Sequence, residues 1–456
     1  MKMKRFSIIL TLSAALFSLN ACDKFLDLEP PQSISEELAL TTDANVKNVL
    51  RGGYAAFRSN FLYGGGMLTL SELLAGDGEL QFVGTYTDLR QIFLKATEAS
   101  NGDVRLMWTD GYNLINIMNN VLSAIDVINT ADQARIEGEA LFLRSLMYFD
   151  LVRFFGQAYD AAVTNNTQLG VPLILTPTRG INQSSYVSRN TVQQIYDKII
   201  TDLERAATLL PEQASATVLT ATKGAANALL ARVYLQKGDF ANARLKANTV
   251  ITSARYTLRP TYAAVFNNDG KSTEDIFVTF FTTQDRFSAM TEFWSVPAFG
   301  GRDGDIDILP GHLNLYPTGD ARRALFFMGN GAMRSGKWNN QYGVVNLIRL
   351  AEMHLIRAEG NVRLGAPFVG PEPHVDINIL RQRAGLSGGN LYTTVNLNQV
   401  LLERTLELAH EGFKLHDVKR LKLNVGARPH NHPKLIFPIP FREIQVNPNL
   451  TQNPDY

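Results

Sequence analysis

The sequence predicts a mainly helical scaffold carrying long irregular insertions, and three observations support that prediction. Residues 104–128 and 134–156 place apolar side chains at steps of three and four. Residues 225–251 read as two helices joined at Gly238. Residues 157–190 and 259–346 hold no sustained period and are far longer than ordinary connections.

The chain opens with Lys2, Lys4 and Arg5, then an apolar run over 6–19, then Leu19-Asn20-Ala21-Cys22. That run is too short to cross a bilayer as a permanent helix, and its flanks are those of a secretory signal. Residues 1–21 therefore resemble a bacterial lipoprotein signal, after which Cys22, the only cysteine, is acylated and becomes the mature N-terminus. Residues 22–40, with Pro30 and Pro31, read as an extended lipidated tether, and 41–456 as a single domain with insertions at about 157–190 and 259–346.

Within that domain, Met107, Leu114, Met118, Leu122 and Ile125 share one helical stripe. So do Ile136, Ala140, Leu143, Met147, Leu151 and Phe154, with Arg135, Glu139, Arg144 and Asp150 off the stripe. A further helix over 191–210 is predicted to start at Thr191 as cap and to stop before Pro211. In 225–251, Tyr234, Gly238, Phe240 and Ala243 fall where a tetratricopeptide repeat places a ring, a turn glycine, a second ring and a small residue. A looser pair is expected over 347–365 and 376–385. The segment 276–281 alternates weakly, as a short strand would, and 433–456 is expected to run extended over the helices.

Composition narrows the chemistry. With no cysteine beyond Cys22, internal disulfides, thiolate metal sites and thiol nucleophiles drop out. The formal charge is +1 and no basic stripe occurs, so nucleic acid is not an expected partner. Gly64-Gly65-Gly66 lacks the lysine of a phosphate loop, and no G-x-S-x-G elbow exists. Pro429-His430-Asn431-His432-Pro433 lacks a neighbouring acidic ligand and suits an exposed turn. Asp303, Asp305 and Asp307 alternate like half a calcium loop, but Ile308 and Asn314 stand where its glycine and glutamate belong. Neither a cofactor nor a metal is expected.

The tail Ile436-Phe437-Pro438-Ile439-Pro440, with Glu443-Ile444 and 447–454 (NPNLTQNP), closely resembles that of the SusD/RagB family. The resemblance spans essentially the whole chain: Cys22-Asp23-Lys24-Phe25-Leu26-Asp27, the segment 139–156, the segment 228–240, the blocks at 349–359, and those at 403–420. It implies an all-α SusD-like fold with about eight core helices in four tetratricopeptide-like pairs, long irregular ligand-site loops and minor short strands. It also implies a non-catalytic, lipid-anchored glycan-binding protein on the outer-membrane surface. Its partners would be an oligosaccharide or other polymer fragment, the membrane through the lipid, and a SusC-like TonB-dependent transporter. Peptide cargo is the alternative within that role, and a surface glycoside hydrolase the alternative outside it. One departure is His416, where the family more often has an aromatic ring, and only packing is expected to feel it.

No site motif of that family transfers, so candidate ligand residues follow from chemistry. Sugars stack C–H faces on aromatic rings and need polar partners for their hydroxyls. Trp294, Trp338, Tyr342, Tyr86 and Phe299 supply rings in the loops, and Asp77, Arg302 and Asn339 supply polar groups. Trp108 is assigned to the core. Glu352, Glu359, Glu403 and Glu411 are expected to pair with Arg349, Arg357, Arg404 and Lys414 on helix surfaces.

Overall fold

The computed structural model describes residues 38–213, 220–285 and 287–456. The signal at 1–21, the Cys22 acylation site and tether residues 22–37 lie outside the described residues. The last three tether residues, Leu38–Leu40, form a single 3-10 turn.

The chain then runs through α1 (Asp43–Phe57), α2 (Gly66–Ala75), β1 (Leu80–Phe82), α3 (Thr87–Phe93), α4 (Gly102–Ser123) and α5 (Thr130–Phe155). Next come α6 (Val192–Leu209), α7 (Lys223–Lys237), α8 (Phe240–Thr252), β2 (Asp275–Phe280), α9 (Ala289–Trp294), β3 (Ile306–Ile308) and α10 (Pro310–Leu313). The final third holds β4 (Phe326–Gly329), β5 (Ala332–Ser335), β6 (Val344–Arg349), α11 (Leu350–Leu364), α12 (Pro373–Arg383), α13 (Leu397–Glu407), α14 (Lys414–Arg420) and α15 (Phe441–Val446). Eight of these helices pack in chain order as four pairs, α1 with α4, α5 with α6, α7 with α8 and α11 with α12. Contacts of α4 with α5, α6 with α7 and α8 with α11 join the pairs into one stack. This is the all-α scaffold with minor strands that the sequence and its resemblance imply.

Local chemistry sets the helix ends. Thr191 accepts from the Gln194 N–H (3.2 Å) while the Gln194 side chain accepts from the Thr191 N–H (3.0 Å), a reciprocal cap. Gly238 ends α7 at φ +80°, a left-handed conformation that a side chain disfavours, and the turn feeds directly into α8. At Gly53 of α1, an added Cβ would lie 2.2 Å from Met118 Cε, so glycine permits the close approach of α1 to α4.

Helix α5 departs from the expected amphipathic pattern. From Gly138 to Phe155 every residue is buried, including Glu139, Arg144, Asp150 and Arg153. The polar side chains survive there because each finds a partner: Arg144 pairs with Asp202 (2.7 Å), Arg135 with Glu139 (2.7 Å) and Arg153 with Asp150. The long insertion at 259–346 is also more structured than its sequence suggests. Strand β2 pairs antiparallel with β6, β1 with β3, and β4 with β5. Residues 347–349, assigned from sequence to a helix, belong to β6. Both strands of the β2–β6 pair contact α7, so their residues are buried almost continuously instead of alternating.

The four expected surface pairs are corrected. Glu352, Glu359, Glu403 and Glu411 are all buried. Arg349 does reach Glu411 (2.8 Å), and Arg404 stands 3.9 Å from Glu352. Arg357 turns instead to Asp376 (2.6 Å) and Lys414 to Glu79 (2.5 Å). Glu352 takes Arg232 (2.7 Å), Glu359 takes Arg420 (2.7 Å), and Glu403 takes Arg322 (2.5 Å) and Arg381 (2.9 Å). Helix-surface spacing cannot foresee these partners, because they come from other elements that cover the helices.

The tail motif is also structural. Asn453 donates both amide hydrogens, to the carbonyls of Phe155 (2.8 Å) and Phe437 (2.7 Å). Arg189 donates to the carbonyls of Gly170, Leu169, Phe155 and Thr451, and Phe437 stacks on Phe154 at 5.3 Å. His416 packs edge-on against Phe154 (5.0 Å). Burial and the charges of Arg153 and Lys419 keep that imidazole neutral. The segment is not wholly extended, since α15 interrupts it.

Candidate functional site

A pocket of about 370 Å³ opens where the first turns of α3 and α4, the start of α2 and one face of α9 converge. Its walls include Phe61, Leu70, Leu89 and Leu106, with the Tyr86 and Phe293 rings meeting edge to face at 5.5 Å. Tyr86 is 42 % exposed. The Arg302 guanidinium covers part of that ring at 4.5 Å, and is itself fixed by Asp305 (3.1 Å) and Thr85 (2.9 Å). Asp88, Asp103 and Glu292 supply the carboxylates and Arg105 a cation. Burial, then the neighbouring charges of Asp88 and Glu292, push the Asp103 carboxyl up to about 6.

Helix α9 sorts the residues that sequence reasoning singled out. Helical geometry turns Ala289, Glu292 and Phe293 toward the pocket and Trp294 into the core. Trp294 is fully buried, its indole N–H donating to Thr69 (3.0 Å) and its ring lying 5.0 Å from His410. Trp338 is buried against Phe266. Neither indole has a face on which a sugar could stack, so the expectation for both is corrected: each packs a loop onto the helices. Trp108 is core, as the sequence suggests, between Tyr112 and Phe155.

On the other side of α9, Thr291 donates to the Asn340 carbonyl (3.1 Å) and Ser295 to Asn339 Oδ1 (2.7 Å). Half-buried Tyr342 and exposed Phe299 lie on this second surface, Phe299 edge-on to Phe327 at 5.7 Å. Asp77 is exposed beside Gly426 and does not line the pocket. Of the predicted set, then, Tyr86 lines the pocket with Arg302 bracing it, whereas Phe299, Asn339 and Tyr342 stand apart. Asp88, Asp103 and Phe61 were missed. As first-turn acids, Asp88 and Asp103 read in sequence as ordinary helix-dipole partners, and only the fold brings them together.

Two other motifs resolve simply. Asp305 is held by Arg302 and Asp307 by Arg334, so two of the three alternating aspartates are arginine partners. Among the described residues no group of three or more His, Cys, Asp or Glu is arranged to hold a metal ion. His432 caps a 3-10 turn by accepting from the Lys434 N–H (3.1 Å), in the exposed turn expected at 429–433. A wider cavity of about 690 Å³ lies along α1 and α5, but it contains none of the candidate loop residues. Of its four cations, Lys47, Arg58 and Arg135 already face Asp132, Asp285 and Glu139, and Arg51 donates to Asn48 (2.8 Å).

Comparison with known proteins places this geometry among relatives. Residues 24–235 match a family profile described as starch-binding associating with outer membrane, and 326–428 match the SusD family profile. SusD-like protein P2 of Formosa agariphila is 27% identical over 528 aligned residues, covering 100% of both chains. A crystal structure of a SusD superfamily protein from Bacteroides thetaiotaomicron superposes with a TM-score of 0.80 at 24% identity, over 91% of this chain and 100% of that one. A laminarin-binding SusD-like protein superposes with a TM-score of 0.72 at 21% identity, over 91% of this chain and 100% of that one.

Proposed function

The chain belongs to the SusD/RagB family, and from that premise we propose that it is a lipid-anchored, outer-membrane glycan-binding protein whose sugar seat is the Tyr86–Phe293 pocket. The carrying observation is the pocket's build. A part-exposed ring braced by Arg302 meets a second ring edge-on, and carboxylates able to accept from hydroxyls stand in the same cavity. The protein captures oligosaccharide and passes it to a SusC-like TonB-dependent transporter, with Cys22 as the anchor. Among the described residues no helix is long and apolar enough to cross a membrane, which suits attachment through lipid.

The role is binding without turnover. On the helical scaffold Glu352, Glu403 and Glu359 face arginines at hydrogen-bond distance, which leaves these three no free proton chemistry. A hydrolase reading draws on Asp103, whose raised carboxyl shares the cavity with a second acid, Asp88.

The test is affinity electrophoresis of the lipid-free protein, starting at Lys24, against a panel of polysaccharides. Retardation by one polymer, abolished in Tyr86→Ala, supports the reading. Retardation that survives Tyr86→Ala moves the seat elsewhere. Silence across the panel with capture of peptides favours non-sugar cargo. Release of reducing ends, lost in Asp103→Asn, favours the hydrolase.

A further inference from the structure

A separate, small cavity of about 10 Å³ lies where the end of α5 meets α6, α7 and α14. It has room for one water-sized particle. Its polar walls are Arg153 from α5, Tyr196 from α6, Gln236 from α7, and His416 and Lys419 from α14. Gln157 and Tyr159 also line it, but their donors go to the Asn431 carbonyl and to Gln193. Arg153 and Gln236 are 7 % exposed, His416 and Lys419 3 %. Three of these four carry a buried polar atom without a hydrogen-bond partner: Arg153 Nη1, the Gln236 amide nitrogen and His416 Nδ1. Groups left so are costly to bury. Lys419 Nζ donates to the carbonyls of Arg153 (2.6 Å) and Gly156 (2.9 Å), which leaves one of its three hydrogens. Those carbonyls end α5, and the helix dipole offsets part of the ammonium charge. Among the described residues no carboxylate lines the cavity, and Asp150 is already taken by Arg153 and the Tyr63 hydroxyl.

From these convergent donors we infer that the cavity seats one small monovalent anion, chloride in size, as a counter-ion for Lys419 and Arg153. A water there accepts two hydrogen bonds, whereas a halide accepts from every donor around it and supplies negative charge as well. Sulfate and phosphate are too large for the space. Neutral His416 fits the same role, since its Nδ1 can carry the ring proton and donate. The seat depends on the proton of Lys419. Burial and the Arg153 charge bring that ammonium down to about 7, so the anion binds best below neutral pH and is released as pH rises. The other groups facing this corner do not supply a negative charge: Arg232 from α7, His416 on α14 itself, His430 from the tail, and Tyr196 of α6, whose hydroxyl burial keeps protonated. Asp160 is held outside by Lys422 (3.0 Å).

The experiment follows thermal unfolding of the lipid-free protein at pH 6, in sodium chloride and in sodium gluconate at equal ionic strength. Chloride should raise the melting temperature by about 1–3 °C between about 1 and about 100 mM, and gluconate, too bulky for the cavity, should not. At pH 9 the chloride effect should shrink, because Lys419 has lost its proton. Lys419→Met should abolish it. Gln236→Leu, which removes one donor and no charge, should weaken the apparent chloride affinity about threefold or more, and serves if Lys419→Met fails to fold. Crystals grown in chloride and measured at long X-ray wavelength should show an anomalous peak between Lys419 Nζ and Arg153 Nη1. Equal melting in the two salts at pH 6 would leave the cavity to water. A chloride response unchanged in the variants would put the ion elsewhere. Either result overturns the inference.

Discussion

The carboxylates around α11–α13 and those around the pocket live by opposite rules. Glu407 lies against Arg349, Arg383 and Arg322, and Glu411 against Arg349 and Lys337, all of them buried. Burial works against the charge on Glu407, but the guanidiniums of Arg383, Arg349 and Arg322 overcome it and hold the acid far below the usual range. In the pocket, Asp103 meets burial and other carboxylates, and its acid moves up to about 6. The first group locks helices together, whereas half-buried Asp103 stands in the wall of an open cavity. An acid that is paired inside the fold is structural, and one left to solvent beside an aromatic ring is available to a ligand.

Removing one partner from the paired region should produce the largest effect. Arg349→Met would take one buried cation from Glu274, Glu407 and Glu411 and leave Arg383, Arg322 and Lys337 to balance all three, and should cost about 3–5 kcal/mol in urea unfolding. A loss below about 1 kcal/mol would mean these charges contribute little to holding the helices. A crossed pair of ring deletions sharpens the contrast. Trp294→Ala should lose about 3–5 kcal/mol of stability, because it empties a filled core position. Tyr86→Ala should leave unfolding nearly unchanged and weaken glycan binding by roughly 1–2 kcal/mol, read by calorimetry. The reverse pattern would exchange their roles.

Acid separates the regions again. Glu407, Glu411, Glu359 and Asp417 all titrate below their ordinary values in the fold, Asp417 at about 2. Their stabilisation is full above the unfolded pKa of about 4 and should be lost as pH falls from there toward 2, followed by far-UV circular dichroism. Asp103 has the opposite sign. Its folded pKa is raised, so the protonated form favours the fold below its unfolded value, and that advantage disappears as pH rises through about 6. The smallest expected effect is functional: glycan affinity, read by calorimetry, should shift as pH passes through about 6, where the Asp103 carboxyl changes from donor to acceptor of hydrogen bonds, and Asp103→Asn should flatten that dependence.

Much of the scaffold was legible because helical periodicity is local. The Thr191 cap, the Gly238 turn and the 225–251 pair sit within a few residues of their signals. The buried ion pairs were not, since Glu403 and Arg322 are far apart in sequence and each alone reads as a surface charge. The pocket suffered in the same way: its walls come from 60–106 and from 289–293. Trp294 misled because a ring inside a long insertion reads as exposed, and only the short turn of α9 shows it pointing inward. Tyr86 stands out in sequence because a ring beside glycines and acids carries its own chemistry, and the fold puts it in the pocket wall.

The clasp at the tail bears on when this protein can fold. The Phe155 carbonyl, at the end of the most buried helix, receives the Asn453 amide from 298 residues later in the chain, and Arg189 binds both Phe155 and Thr451. Closing such a contact requires most of the polypeptide to be present, and long-range closure slows folding. Helix α5 therefore cannot reach its final packing while the tail is missing. A chain that lacked its last residues would therefore stay short of its native packing, however complete the rest of its helices.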